Sequence, residues 1–538
     1  MSRLDAFMLM FPPKQLTLMI TLTNRNLTTF ARKKEVTKGE LIKFLGILIL
    51  MTRVKGRKRR DLWRTTSACK YLGAYNFGST GMSRHRWEEI WSALRWSEQA
   101  AVRPDGMSHE RWRWHLISDF VKNFNDFRAT NFLPSDLLCI DESMSKWYGL
   151  GGQWINIGLP MYVAMERKPV SGCEIQNVCC ARSRIMMQIK IVESMEEENT
   201  HAQVDDSGLL HGVNVMLKLL HPWKNHGERI VCADSYFASV SACEELLKYN
   251  FRFIGVVKTA TKKFPMAYLA AQELAGRGDH LALVSSPPTV NDANSSADVM
   301  AILWVDRNRR YFVSNAEGVE PAEPIFRIRW RQVDDMEEDP YAEPERTELN
   351  IPQPAAVKLY YDVCGSIDKH NRQWQDDLEL ERCIKVSLWW KRVAISILGM
   401  IVVDTCNFHQ ACVHPNDIDS DPNTFYSSLA EEMIDNTFDE VGLQPWATPT
   451  SNRRTAANVA SGSPIPHLTP TREKKRKTDG TESTHTRQGR CLICKRKTTY
   501  LCNICNDKVQ SEGGKLPWYC HEKNGHRECF TTHIEKDH

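Results

Sequence analysis

No uncharged apolar run in this 538-residue chain is long enough to cross a bilayer. The two best candidates, "FLGILILM" (Phe44 to Met51) and "VAISILGMIVV" (Val393 to Val403), fall short of the roughly 18 residues that a span requires, and both have charge nearby. Buried helices and no membrane partner are therefore expected. The start does not read as a convincing secretory signal either: the opening "MSRLDAFMLMFPPKQLTLMITLT" carries an early Asp5 and the pair Pro12 and Pro13. The chain also has little net charge. A formal +4 neither demands nor excludes nucleic acid, so the distribution of charge has to decide that question. No internal repeat stands out. Of the seventeen cysteines, eleven are scattered, many within apolar runs, and six crowd into residues 491–529. That is no disulfide framework. It fits a reducing compartment and one metal module.

What is present describes a soluble globular protein, 42% hydrophobic and 25% charged. Its length calls for roughly two to four domains. Residues 1–130 read as a mainly helical N-terminal domain. In "TKGELIKFLGILILM", Thr37 caps a helix and Glu40 completes a capping box. Leu41, Phe44, Leu45 and Leu48 then form its buried stripe. Ser83 caps a second helix whose stripe is Trp87, Ile90, Trp91 and Leu94.

From Leu137 the texture changes to strand-like runs, "DLLCIDES", "IMMQIKIVES", "ERIVCADSYF" and "FRFIGVVKT", with a helix in "SVSACEELLKYN". This is the pattern of an α/β core. It divides into a first part, 131–261, a β-containing insertion, 262–350, and a second, mostly helical part, 351–415. Residues 416–489 read as a linker, largely disordered, and 490–538 as a cysteine-rich module.

The acids carry the chemistry. Asp141 ends the run "LLCI" and Asp234 ends "IVCA", and an acid after a buried strand sits where open α/β folds collect their functional groups. Taken singly, each reads as a strand-end turn residue, and Asp368 in "CGSIDKHN" as a helix cap. If the two strands are neighbours, both carboxylates reach one divalent ion, and Asp368 supplies a third ligand from a helix across the sheet. Two Mg²⁺ ions held by such oxygen ligands can activate an oxygen nucleophile and neutralise a leaving oxygen in phosphodiester chemistry. Glu142 is a weaker candidate, because strand alternation points it to the opposite side.

The ordered set "FLGILILM", "IDESMSKWYG", "VCADSYFASVSACEELL" and "VCGSIDKHN" resembles the transposase domain of the piggyBac family and its domesticated relatives, over about residues 10–412. The resemblance implies an RNase H-like core with an insertion, in agreement with the strand alternation. It places catalytic, metal-binding acids at Asp141, Asp234 and Asp368. It further implies hydrolytic nicking at transposon ends, attack of the freed 3′-hydroxyl to form a hairpin, insertion at TTAA sites, double-stranded DNA as partner, and a homodimer. A fourth aspartate of the family pattern is Asn371 here. Its amide oxygen lacks the charge but, one turn from Asp368, can face the same ion. Weaker metal affinity is expected. The rival is a domesticated DNA-binding protein that no longer cuts. The family often has an acidic N-terminal region before its helical domain, whereas this sequence begins almost directly in the helical domain, which leaves open whether the N-terminus is truncated. Trp147 and Tyr148 are expected to pack the core.

The C-terminal module offers Cys491, Cys494, Cys502, Cys505, Cys520, His526, Cys529 and His533, eight ligands for two structural Zn²⁺ ions. The short gap between the first two pairs suggests a cross-brace, with Cys491/Cys494 joined by Cys520 and His526, and Cys502/Cys505 by Cys529 and His533. His521 competes with His526. A RING-like ligase shares this topology, whereas the resemblance makes the tail a reader of transposon-end DNA. The basic runs "KGRKRR" (Lys55 to Arg60) and "REKKRK" (Arg472 to Lys477) suit phosphate contacts or nuclear import. The nucleus is the expected location. Lys258, Lys262 and Lys263 are further DNA-facing candidates.

Overall fold

The computed structural model describes residues 1–29, 33–54, 58–66, 73–98, 102–107, 109–147, 159–161, 163–165, 170–193, 208–258, 261–274, 276–285, 298–331, 345–413 and 421–439, with short strand segments between 468 and 502. The chain divides into two units, Met1–Gln444 and Pro445–His538.

The first unit opens with helices that start where capping chemistry allows. Before α1 (Arg3–Met10), Ser2 Oγ accepts from the Asp5 N–H and the Asp5 carboxylate accepts from the Ser2 N–H. After α2 (Pro13–Thr29), Thr37 Oγ1 accepts from the Glu40 N–H at 3.1 Å to begin α3 (Lys38–Thr52). The return bond expected from Glu40 is not among the bonds found. Its carboxylate meets the guanidinium of Arg86, with both contacts at 2.7 Å. A bidentate, charge-assisted fork outcompetes a bond to one backbone N–H. Arg86 lies on α4 (Arg84–Ala93), capped by Ser83 as expected. Trp87, Ile90 and Leu94 are fully buried. The helix α5 (His115–Asn131) buries Ile117, Phe120, Phe124 and Arg128.

The sheet follows. Its strands are β1 (Leu137–Lys146), β2 (Val163–Met165), β3 (Val170–Cys180) and β4 (Ile185–Ile191); then, after α6 (His211–Leu219), β5 (Arg229–Ala233); and after α7 (Val240–Leu247), β6 (Phe251–Val257). The series ends with β7 (His280–Ser285), β8 (Val299–Val305) and β9 (Arg309–Ser314). The spatial order is β2-β3-β1-β5-β6-β9-β8-β7, with β4 also on β3. The β1–β5 and β5–β6 ladders are parallel and the others antiparallel. Residues 262–350, expected as an insertion, contribute in two ways. Strands β7 to β9 extend the main sheet beyond β6, while β10 (Pro321–Arg331) and β11 (Glu345–Pro354) pair as a separate ribbon. The strand β3 had no clear apolar signature in the sequence, because Glu174, Gln176 and Asn177 interrupt it.

Alternation along the strands divides the core. Leu138, Ile140, Val231 and Ala233 pack on one face with Val213 and Met216 of α6 and Ala242 and Leu246 of α7. Cys139, Cys232 and Ile254 belong to the opposite face. There they meet Val357 of α8 (Ala355–Val363), Ile367 of α9 (Ser366–Arg372) and Leu398 of α10 (Trp389–Cys412). The helix α10 is long and apolar enough to cross a membrane, but 89% of its apolar window is buried inside the fold, which marks it as a core helix.

One difference from expectation lies in residues 416–489. Within them α11 (Pro422–Ile434) buries Phe425, Tyr426, Leu429 and Met433 and packs on α3. The stretch "SDPNTF" has turn composition, but it is a helix start: Asp421 accepts from the Asn423 N–H and Pro422 occupies the first turn. Gly46 of α3 permits the close approach, since a Cβ there would lie 2.8 Å from the Met433 Cβ.

In the second unit, Leu468–Pro470 pairs with Tyr500–Cys502, Glu473–Arg476 with Glu482–His485, and Gly489–Arg490 with Lys497–Thr498. Part of the stretch expected as a disordered linker is thus paired ribbon, which polar composition alone does not register.

Candidate active site

The ladder between β1 and β5 pairs Leu137–Ile140 with Ile230–Ala233 in parallel, so Ile140 lies opposite Ala233. Asp141 and Asp234, the next residues, emerge at the same level. The strand β5 stops there, whereas β1 continues to Lys146. Asp141 therefore does not end its strand, as the sequence suggested. It sits where β1 loses β5 but keeps β3, opposite Asn177. Residues two apart on a strand share a face, which groups Asp141 with Cys139 and Asp234 with Cys232. The Cys139 thiol donates to the Cys364 carbonyl at 3.5 Å and the Cys232 thiol to the Tyr360 carbonyl at 3.8 Å. These contacts lay α8 and the loop into α9 over the same face. A cleft of about 270 Å³ results, lined by Asp141, Glu142, Asp234 and Asp368 with Tyr360 and Cys364 among its walls.

Glu142 is a correction. Carboxylate oxygens of Asp141, Glu142 and Asp234 lie within 4.8 Å of one another. Alternation would send Glu142 to the far face, but no β5 residue flanks β1 at this level. The long side chain is free to wrap the open strand edge, and its own N–H donates to Asp141 Oδ1 at 2.9 Å. The three carboxylates fit a divalent cation with hard oxygen ligands. Asp368 lines the cleft from α9 and adds charge that acts on Asp141.

Burial pushes the Asp141 carboxyl up to about 6; the Glu142 hydrogen bond opposes this, while the charges of Asp234 and Asp368 add to it. Glu142 is held well above the usual carboxylate range, first by burial and then by the charge of Asp141. Crowded acids of this kind are a recurrent sign of a functional site. Lys258, just beyond β6, brings Nζ to 3.9 Å from Asp234 Oδ2. Of the other two candidate lysines, Lys263 pairs with Glu244 at 2.9 Å, and no bond is found for Lys262.

The simpler readings of the acids meet mixed outcomes. Asp234 does act as a turn residue, since its Oδ1 accepts from the Tyr236 N–H at 2.8 Å, yet it also lines the cleft. Asp368 is not the cap. Gly365 occupies that position, and Asp368 is exposed in the first turn. Asn371 does not line the cleft: its Oδ1 accepts from Ser143 Oγ at 2.7 Å, and Ser143 Oγ accepts from Asn177 Nδ2 at 2.6 Å. Trp147 packs against the core, and Tyr148 lies outside the described residues.

The helix carrying Asp368 is fixed from below by residues that the sequence did not single out. Asp404 of α10 accepts from Arg128 Nη2 at 2.8 Å and from the Met186 N–H at 2.8 Å, and its Oδ1 lies 3.1 Å from His370 Nε2. All three side chains, Arg128, Asp404 and His370, are fully buried. One carboxylate thus joins α5, β4 and α9. A histidine two residues after a candidate acid carries no periodic signal in the sequence.

Of the expected zinc ligands, Cys491 is buried and Cys502 ends a strand. Cys494, Cys505, Cys520, His526, Cys529, His533 and the competitor His521 lie outside the described residues.

The geometry has a counterpart among known proteins. A family model described as transposase IS4 matches residues 2–404. The chain belongs to this transposase family. A solved structure, a piggyBac transposase synaptic complex with hairpin DNA, superposes with a TM-score of 0.58 over 80% of each chain at 15% sequence identity. At that identity the likeness establishes the fold. The mixed sheet and flanking helices of this transposase-family chain follow the same fold as that piggyBac transposase.

Proposed function

We propose that this chain is a DNA transposase that cuts phosphodiester bonds at transposon ends, with Asp141, Asp234 and Asp368 holding divalent cations and Glu142 completing the cluster. The register that sets Ile140 opposite Ala233 carries the reading, since it delivers two carboxylates to one cleft at the end of a parallel ladder. A bound Mg²⁺ would supply charge neutralisation and an activated oxygen at the scissile phosphate. The protein's own part is positional. Strands β1 and β5 fix Asp141 and Asp234, the Asp404 contacts fix the helix of Asp368, and Lys258 sets positive charge beside Asp234.

The finer features extend this reading. The hairpin DNA of the similar solved complex supports duplex ends and a hairpin product here. TTAA targets and a homodimer rest on the motif resemblance, two structural Zn²⁺ on the Cys/His spacing, and nuclear location on the basic runs.

Nicking of a duplex bearing matched terminal repeats, measured with Mg²⁺ and compared with Asp234→Ala and Asp368→Ala, tests the proposal. Loss of nicking with retained DNA binding is expected; equal activity in all three proteins would overturn it. A second reading, a DNA-binding derivative without cleavage, is favoured by the amide oxygen of Asn371, which accepts a bond from Ser143. Wild-type protein that binds the duplex and leaves it intact would establish that alternative.

A further inference from the structure

We propose that Arg59, Arg95 and Lys391 form a binding site for a backbone phosphate of DNA, an inference that rests on the DNA-acting reading above. The three cations are gathered by tryptophans. Lys391, near the start of α10 and only 4% exposed, places Nζ 4.7 Å from the ring centre of Trp91 and 5.4 Å from that of Trp390. The guanidinium of Arg95, just after α4, lies 5.2 Å over Trp390. That of Arg59, in the short helical turn Arg59–Trp63, lies 4.9 Å over Trp87 and 5.8 Å over Trp91. Two shared rings, Trp91 and Trp390, therefore hold three positive groups side by side.

Among the described residues, no acid is paired with Lys391. Burial and the charges of Arg95 and Arg59 all act in one direction on it and draw it down to about 7, and its ammonium donates to the Trp91 carbonyl. Arg95 caps the carbonyls of Ser92, Ala93 and Leu94 through Nη1, but its buried Nε has no partner. Glu88 is the acid near Arg59. Cation–π contacts stabilise a cation without cancelling its charge, so the cluster keeps an excess of positive charge in a partly dry setting. An uncompensated buried cation is costly, and a phosphate relieves that cost by taking an arginine fork and a lysine point charge together. Lys58 and Arg60, exposed on either side of Arg59, continue the positive surface, as a polymer of phosphates would require.

The test uses the full-length, zinc-loaded protein with no added Mg²⁺ and no chelator, so that cleavage is silent, with duplex DNA and inorganic phosphate as separate probes. Lys391→Met keeps the apolar stem against Trp91 and Trp390 while removing the charge, and Arg59→Gln serves as a second variant should the first fail to fold. Each variant is expected to weaken duplex binding by about tenfold and to lower the slope of log affinity against log salt by about 0.9, one phosphate contact. Lys391→Met should also melt at or above the wild-type temperature without DNA. Millimolar phosphate should stabilise the wild type and not the variants. Wild-type duplex affinity and salt slope in both variants would overturn the proposal. Phosphate stabilisation that disappears in the variants while duplex binding is unchanged would also overturn it, in favour of a free-phosphate site. Wild-type protein that binds no duplex would instead refute the transposase reading.

Discussion

Ile140 lies opposite Ala233 in the parallel ladder of β1 and β5, and the residue after each is an aspartate. Pairing at one register thus concentrates charge that the metal-free fold must tolerate. Asp141 rises from its ordinary 3.8 to about 6. The folded value lies above the unfolded one, so the stability tied to its proton is present below about pH 4 and lost as pH rises through about 6. In chelator, Asp141→Asn should melt above wild type at neutral pH, and the gap should close toward about pH 4. Divalent ions displace the same proton, so wild-type affinity for Mg²⁺ should fall as pH drops through about 6. Thermal melts and metal titrations across this window check both signs. A gap that does not vary with pH would show that Asp141 keeps its ordinary acidity.

The buried Asp404 has three tasks at once, and its removal should show in stability and in the site. Asp404→Asn leaves Arg128 buried without its counter-charge, a loss of about 3–5 kcal/mol. His370→Leu deletes one donor and should cost about 1–3 kcal/mol, whereas His370→Gln can still donate and should cost less. Because His370 shares α9 with Asp368, His370→Leu should raise the Mg²⁺ concentration for half-maximal nicking, with partial rescue by glutamine. Unfolding curves and metal titrations separate the two effects. Unchanged metal dependence in His370→Leu would confine the pair to a packing role.

Asn371→Asp places a carboxylate one turn from Asp368. An aspartate can still accept the Ser143 hydroxyl that now bonds the amide oxygen at 2.7 Å, so the backbone need not move. Divalent affinity should rise, and Ser143→Ala in that background should raise it further by freeing the oxygen. Isothermal titration with Mn²⁺ checks the order of the three proteins; identical affinities would place position 371 outside the site.

Zinc analysis of purified protein should return two ions per chain. Replacing Cys491 should remove one of them, because each tetrahedral site needs all four ligands. Chelation should reduce binding to transposon-end DNA while the melting of the larger unit is kept, since Met1–Gln444 is a unit of its own. A content of one ion per chain would refute the two-site arrangement.

Much of this was legible in the sequence because it is local. Apolar runs ending in acids marked β1 and β5, and the caps at Thr37 and Ser83 marked α3 and α4. Other features depend on what tertiary structure places beside a residue. Glu142 enters the site because β5 ends where β1 does not, which alternation along one strand cannot reveal. The Glu40 carboxylate leaves its cap for Arg86, 46 residues away. Asp404 meets His370 and Arg128 from positions that share no period or motif. The helix α11 was hidden because an aspartate followed by a proline signals a turn and a helix start equally well.

The contact of α3 with α11 offers a case where local preference and packing predict opposite signs. In an exposed helix, replacing glycine by alanine gains about 1 kcal/mol. At Gly46 the added methyl would lie 2.8 Å from the Met433 Cβ and 3.0 Å from the Ala430 carbonyl oxygen. Neither is the flexible end of a side chain, so α11 itself must shift, and overpacking of this kind costs about 1–3 kcal/mol. Gly46→Ala should therefore destabilise the protein, and Gly46→Leu should do so more severely. Urea unfolding followed by tryptophan fluorescence measures the change. If Gly46→Ala is as stable as wild type or more so, α11 is not held against α3 as tightly as the structure places it.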